Sequence, residues 1–309
     1  MKTRIGILGL GGVGGYFGGL LAKEYATSHA IDIVFIARGE TLKMVSEFGL
    51  KISTDEGEIT VFPNIVSDNP EIIGKLDYLI CATKTYDIEE SLTSIKNVIT
   101  KNTVILPLYN GVDAPERICT LFPDNEVLQG CVYIVSMIVS PGVIKKVGPY
   151  EKLFFGSDMA SISRMNSLQT IFKNASIESY LVDAIEETVW EKFIFISALA
   201  SATSYLNQNI GELLSSESSR KFYVSLLNEI TMIAAVKGLD LPKDIVFQTI
   251  LKLEKSPQEA TSSMHRDLMA GRKIELASLT EFVVNEGLKY EIDTPTYEKV
   301  LEKLSQQAI

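Results

Sequence analysis

Histidine is nearly absent from this chain: His29 and His265 are the only two among 309 residues. So few imidazoles leave a histidine-based zinc site or a Ser-His-Asp triad poorly supported. Cysteine is almost as scarce. Cys81, Cys119 and Cys131 are odd in number, sit among apolar residues and lack metal-ligand spacing. They read as buried free thiols of a reducing cytosol, and no metal site is expected. Basic charge is in deficit, with 29 Lys and Arg against 39 Asp and Glu and a net charge of −10. That balance argues against nucleic acid or an anionic membrane as a partner. No apolar run approaches the length of a membrane span, and no charged-then-apolar leader precedes the first apolar segment. The Asn174-Ala175-Ser176 sequon carries no weight without secretion. A cytoplasmic protein is expected.

What the chain does have is apolar material, at 46% of residues, enough for a large core and two domains. Over 1–183, short β-rich runs alternate with helical patterns. Near-continuous apolar runs at 5–8, 31–36, 78–82 and 103–106 suit strands buried on both faces of a parallel sheet. Helices are expected at 16–25, 87–98 and 113–121. Further strands are expected at 127–135, 143–146 and 153–155, separated by Pro141-Gly142, Gly148-Pro149 and Gly156, then a helix at 163–173 and a strand at 179–182. Over 184–309 the pattern is helical almost throughout, opening with a long segment from 184 to about 206. The expected fold is therefore an N-terminal Rossmann-type, doubly wound α/β domain followed by an all-α domain, with an active cleft where they meet.

Immediately after the first apolar run comes Gly9-Leu10-Gly11-Gly12-Val13-Gly14. In a dinucleotide-binding βαβ unit, Gly9 permits the tight turn, Gly11 lets the backbone approach a pyrophosphate, and Gly14 allows close helix–strand packing. The helix that follows presents its N-terminal N–H groups to the phosphates. Arg38 ends the second apolar run, where NAD-preferring chains usually carry an acid for the ribose hydroxyls. A guanidinium there can fork onto a 2′-phosphate, which favours NADP. A glycine-rich turn in another α/β protein and a solvated surface arginine are the plain alternatives.

Lys84 follows the apolar run at 78–82, and Asn110-Gly111 follows that at 103–106, both at carboxyl ends that face a ligand crevice in such folds. Taken singly, they are a surface lysine and an ordinary Asn-Gly turn. Lys192 lies early in the long helix, in Trp190-Glu191-Lys192-Phe193, bordering an apolar face. Later come Ser262-Ser263-Met264-His265-Arg266-Asp267 and Gly271-Arg272-Lys273-Ile274-Glu275, where Ser263 and Asp267 share a helical face and Glu275 is expected to open a helix over 275–286.

In their order and spacing these motifs resemble the ketopantoate reductase (2-dehydropantoate 2-reductase) family over nearly the whole chain. The resemblance implies a Rossmann domain plus a helical domain, and NADPH-dependent reduction of a branched 2-oxo acid in pantothenate synthesis. It casts Lys192 as general acid, Glu275 as its partner at the substrate hydroxyl, and Ser263 as a holder of the substrate carboxylate or a hydroxyl. Asn110 and Lys84 would orient cofactor and substrate. The implied cofactor set is Gly9, Leu10, Gly11, Gly12, Val13, Gly14, Arg38, Lys84, Asn110 and Glu275. The chemistry agrees: negative charge builds on the keto oxygen as hydride arrives, and a partly buried ammonium stabilises it and donates a proton.

Members of the family commonly carry asparagines four and eight residues after the lysine, where this chain has Ile196 and Ala200. An Asn-Gly in the glutamate helix is Thr280-Glu281 here. Losing those amides weakens discrimination for a hydroxylated substrate, unless Ser197, Ser201 or Ser204 substitutes for them. A hydroxy-acid dehydrogenase with a more apolar substrate, or a non-catalytic NADP-binding redox sensor, are the other readings. A helical second domain can supply a homodimer face, although its apolar positions serve a core equally well.

Overall fold

A computed structural model describes residues 2–307; residues 308 and 309 of the expected helical domain, like Met1, lie outside the described residues. The chain forms two compact units. The first comprises residues 2–109 and 114–185, and the second comprises 110–113 and 186–307.

The first unit is built on a five-stranded parallel sheet. Its strands are β1 (Thr3–Leu8), β2 (Ile31–Ile36), β5 (Ile65–Ser67), β6 (Tyr78–Cys81) and β7 (Val104–Pro107), in the order β5-β2-β1-β6-β7. Side chains alternate across it with period two. Ile5, Ile7, Ile33, Phe35 and Ile80 pack into one core, and Leu8, Val34, Ile36, Leu79 and Cys81 pack into another on the opposite face. The second core is closed by α3 (Pro70–Ile73), α4 (Ile88–Ser94) and α5 (Ala114–Leu121), which contribute Ile73, Ile88, Leu92 and Ile118. Chain order reverses beside β1, so a topological switch point lies at its carboxyl end, where such sheets bind ligands.

A second sheet has the order β10-β9-β3-β4, with β8 added to β9. It comprises β3 (Leu50–Thr54), β4 (Gly57–Val61), β8 (Gln129–Ser140), β9 (Val143–Gly156) and β10 (Ser179–Leu181). Between the two sheets runs α1 (Gly12–Tyr25), whose opening eight residues include five glycines. Glycine is about 1 kcal/mol worse than alanine in a helix, so the segment gives up roughly 5 kcal/mol of propensity. Packing explains the choice. A Cβ on Gly18 would press on Ile7 and Phe35, and one on Gly15 or Gly19 on Ile144 or Ile52. The helix therefore seats tightly against both sheets. Tyr16 fastens the β9 side, donating to Glu151 Oε2 at 2.5 Å beside the Lys146–Glu151 ion pair at 2.8 Å. The remaining helices of this unit are α2 (Gly39–Phe48) and α6 (Ile162–Asn174).

Several expectations need correction. The first helix begins at Gly12 rather than residue 16, because the glycine run is already helical. The strands expected at 143–146 and 153–155 are one strand, β9. The Gly148-Pro149 pair that suggested a break is a bulge: pairing steps from Ile134–Glu151 to Val135–Val147, and Gly148 has φ +73°. A bulge tolerates proline because no ladder hydrogen bond is needed there. The β3–β4 hairpin and β5 have no counterpart among the expected strands. Cys119 is exposed, unlike buried Cys81 and Cys131. On α5, Ala114 and Ile118 face the core, and the next residue turns about 100° away.

The second unit is helical: α7 (Ile185–Leu206), α8 (Ile210–Ser215), α9 (Glu217–Val236), α10 (Ile245–Glu254), α11 (Ser263–Met269), α12 (Phe282–Tyr290) and α13 (Pro295–Ser305). Glu186 and Glu187 favour the start of α7 by opposing its dipole. Trp190 and Phe193 anchor that start, packing edge-to-face with each other and against Phe282. Buried Glu229 on α9 accepts from the N–H groups of Thr296 and Tyr297, capping α13. Among the described residues no helix is long and apolar enough to cross a membrane.

Candidate active site

At the carboxyl end of β1 the chain turns at Gly9, with φ +90°. A Cβ there would meet Thr83 N at 2.9 Å and the Ala82 carbonyl carbon at 3.0 Å, and one on Gly14 would overlap the Gly9 carbonyl oxygen. The glycine turn is thus pressed onto the segment after β6, which carries Lys84. Gly12, Val13 and Gly14 form the first turn of α1, and Leu10 is buried beneath. A Cβ on Gly12 would sit 2.5 Å from the Ser136 carbonyl oxygen.

Gly11 differs from these glycines. A Cβ there would meet only Ala82 O, at an ordinary 3.8 Å, and its φ of −75° suits any residue. Internal packing does not require glycine at 11. Gly11 is also the N-cap of α1, which has no side-chain cap and no acid in its first turn. The first N–H groups of a helix need partners, and a pyrophosphate approaching past a bare Cα supplies them. The cradle fits a dinucleotide.

Arg38 is the N-cap of α2, two residues beyond β2, and is half exposed. Its Nη1 lies 2.8 Å from Glu90 Oε1 on α4. Lys84, partly buried, precedes a 3-10 turn over Thr85–Asp87 and accepts from the Asp87 N–H.

In the second unit Lys192 is buried, at 7% exposure, and its Nζ donates to Asn110 Oδ1 at 3.0 Å. Asn110 opens a turn whose Gly111 has φ +121°, with Asp113 and Ser278 so near that any side chain at 111 would crowd them. Ser278 Oγ donates to Asp113 Oδ2 at 3.2 Å, tying the turn to the segment that follows Glu275. The structure thereby joins Lys192, Asn110 and the stretch opened by Glu275 into one cluster.

Buried Glu275 does not start an ordinary helix. Its carbonyl accepts from Leu279 N, and residues Ala277–Glu281 form a π turn before α12. Such turns recur at functional sites. Ser197 donates to Leu279 O at 2.6 Å, and Ser201 pairs with Thr280 at 2.9 Å, both on α7 against this turn. At about 100° per residue, Ser197, Ser201 and Ser204 lie roughly 120–180° around α7 from Lys192. Ser197 and Ser201 spend their hydroxyls on the π turn and on Tyr297. Lys192's own face carries Ile196, Leu199 and Ala200, and ends at Thr203.

Thr203 Oγ1 lies 2.8 Å from Ser262 Oγ. Ser262 caps α11 through His265 N, and Ser263, partly buried, is the first residue of that helix. Asp267 on α11 holds Arg272, accepting from its Nε at 2.9 Å. His265 is buried, with Nδ1 2.7 Å from Thr261 Oγ1 and Nε2 2.9 Å from Asn207 Oδ1. The roles of Thr203 and Ser262 escaped the sequence reading, since 59 residues separate them.

A glycine turn at a parallel-sheet switch point, carried in one chain with an all-helical unit holding a buried lysine, defines a two-domain oxidoreductase of the nicotinamide type. Residues 5–158 match the model of the ketopantoate reductase PanE/ApbA family, and residues 184–308 match its C-terminal model; the chain belongs to that family. It is 26% identical over 299 residues to the uncharacterized oxidoreductase YkpB of Bacillus subtilis, covering 96% of each chain. To 2-dehydropantoate 2-reductase of Pyrococcus abyssi it is 25% identical, over 94% of this chain and 93% of the relative. The crystal structure of 2-dehydropantoate 2-reductase from Porphyromonas gingivalis superposes with a TM-score of 0.85 at 32% identity, over 99% of this chain and all of that one.

Proposed function

We propose that this oxidoreductase reduces 2-dehydropantoate to pantoate with NADPH, in the cytoplasm, as a step toward pantothenate and coenzyme A. The observation that carries the reading is the buried Lys192 ammonium held on Asn110 Oδ1 at 3.0 Å. A bound reduced nicotinamide would supply the hydride that the keto carbon accepts. Lys192 stabilises the charge that develops on the keto oxygen and donates the proton that completes the hydroxyl. Glu275 partners that hydroxyl, Ser263 holds the carboxylate or a hydroxyl, and Asn110 and Lys84 orient the reactants. Residues 9–14 hold the pyrophosphate, and Arg38 receives the 2′-phosphate.

The test is reduced-nicotinamide absorbance with purified protein and a panel of 2-oxo acids. Lys192→Ala should lower kcat about 10²–10⁴-fold while NADPH still binds. Unchanged turnover in that variant sinks the general-acid role.

A specific observation favours a second substrate. Ile196, one turn after Lys192 on α7 and partly buried, cannot hydrogen-bond a substrate hydroxyl, and Leu199 and Ala200 on the same side are buried apolar core. A branched 2-oxo acid without the hydroxymethyl group, 3-methyl-2-oxobutanoate, suits that face. If its kcat/KM exceeds that of 2-dehydropantoate, and Ile196→Asn reverses the order, the second substrate is the right one.

A further inference from the structure

The Arg38–Glu90 ion pair has an unusual path. Arg38 follows β2, and Glu90 lies in the first turn of α4, the helix that follows β6. Strand β1 lies between β2 and β6. The bond therefore joins the segments that follow the two strands flanking β1. The neighbouring acid, Glu89, is tied locally: Arg117 grips both its oxygens at 2.7 Å. Glu90 instead pairs with Arg38, on the other side of β1. Both partners are well exposed, at 53% and 72%, so the pair adds little to stability. The next residue, Gly39, has φ +57°, and a Cβ there would meet nothing within 4 Å.

We propose that Glu90 is a cofactor-selectivity residue that opposes Arg38. Its carboxylate holds Nη1 of the guanidinium, one of the donors a 2′-phosphate would use. A phosphorylated cofactor must displace it and then lie beside its negative charge. A cofactor with a free 2′-hydroxyl meets neither obstacle. Glu90 therefore narrows the margin by which Arg38 favours NADPH over NADH. The inference rests on the reading that Arg38 receives the 2′-phosphate.

Equilibrium titration of the full-length protein with NADPH and NADH, by calorimetry or nucleotide fluorescence, tests both statements without turnover. Arg38→Gln should weaken NADPH about tenfold or more and leave NADH nearly unchanged. Glu90→Gln should tighten NADPH about three- to fivefold and leave NADH within about twofold, with a smaller gain at high salt. If the NADPH/NADH affinity ratio of Glu90→Gln rises less than about twofold, or falls, while Arg38→Gln behaves as stated, the role of Glu90 is overturned and that of Arg38 stands. If Arg38→Gln leaves the ratio at its wild-type value, the 2′-phosphate reading fails and takes the inference with it.

Discussion

Gly9 and Gly14 are in such close contact that a single added carbon on Gly14 would overlap the Gly9 carbonyl oxygen. That contact holds the first turn of α1 onto the end of β1. Gly11, between them in sequence, has room for a methyl group.

The contrast separates packing from ligand approach. Gly14→Ala should lower unfolding free energy by about 1–3 kcal/mol through overpacking. Gly11→Ala should cost at most about 1 kcal/mol, as a poorer N-cap, yet weaken NADPH binding about tenfold or more by blocking the backbone. Denaturant melts and binding isotherms on both variants check this. Equal binding losses accompanied by equal destabilisation would show that Gly11 is merely structural.

His265 gives a pH dependence. Burial, aided by the Arg266 charge and opposed by Glu212, holds its pKa below the ordinary value of 6.5. The folded state thus binds this proton less well than the unfolded chain. Stability from the neutral ring is present above about pH 6.5 and is lost as pH falls through that value toward the lower folded pKa. Wild type should lose more stability between pH 7.5 and 5.5 than His265→Gln, which has no proton to gain. Parallel losses in the two proteins would remove the histidine from the account.

Glu229 reaches 67 residues along the chain to the first N–H groups of α13. Glu229→Ala leaves those buried donors unpaired and should cost about 1–3 kcal/mol. Glu229→Gln, which keeps an acceptor, should recover part of that loss in the same denaturant series. No difference between the variants would rule out the cap.

The sheet and the glycine turn were legible because their signals are local: apolar strands with period two, and glycines at fixed offsets beside them. The β3–β4 hairpin was not, since Lys51, Ser53, Thr54 and Glu58 interrupt its apolar pattern. Gly148-Pro149 read as a break because sequence cannot distinguish a bulge from a loop. In the candidate site, Lys192 and Asn110 could be singled out, but their hydrogen bond spans 82 residues. The orientation of Ser197 and Ser201 away from Lys192 follows from helical geometry. Their binding of a π turn does not, because the turn departs from the regular period. Arg38 was visible as a cation, whereas Glu90 looked like any acid opening a helix.

The second unit borrows Asn110–Asp113 from the middle of the first unit's sequence, and with them the acceptor of Lys192. The helical portion is therefore not a portable module. An excised 186–307 fragment, or a chimera joining these helices to another dinucleotide-binding domain, would arrive with its lysine but without Asn110. Recombination that preserves the Lys192–Asn110 hydrogen bond must carry the four-residue turn and the helices together.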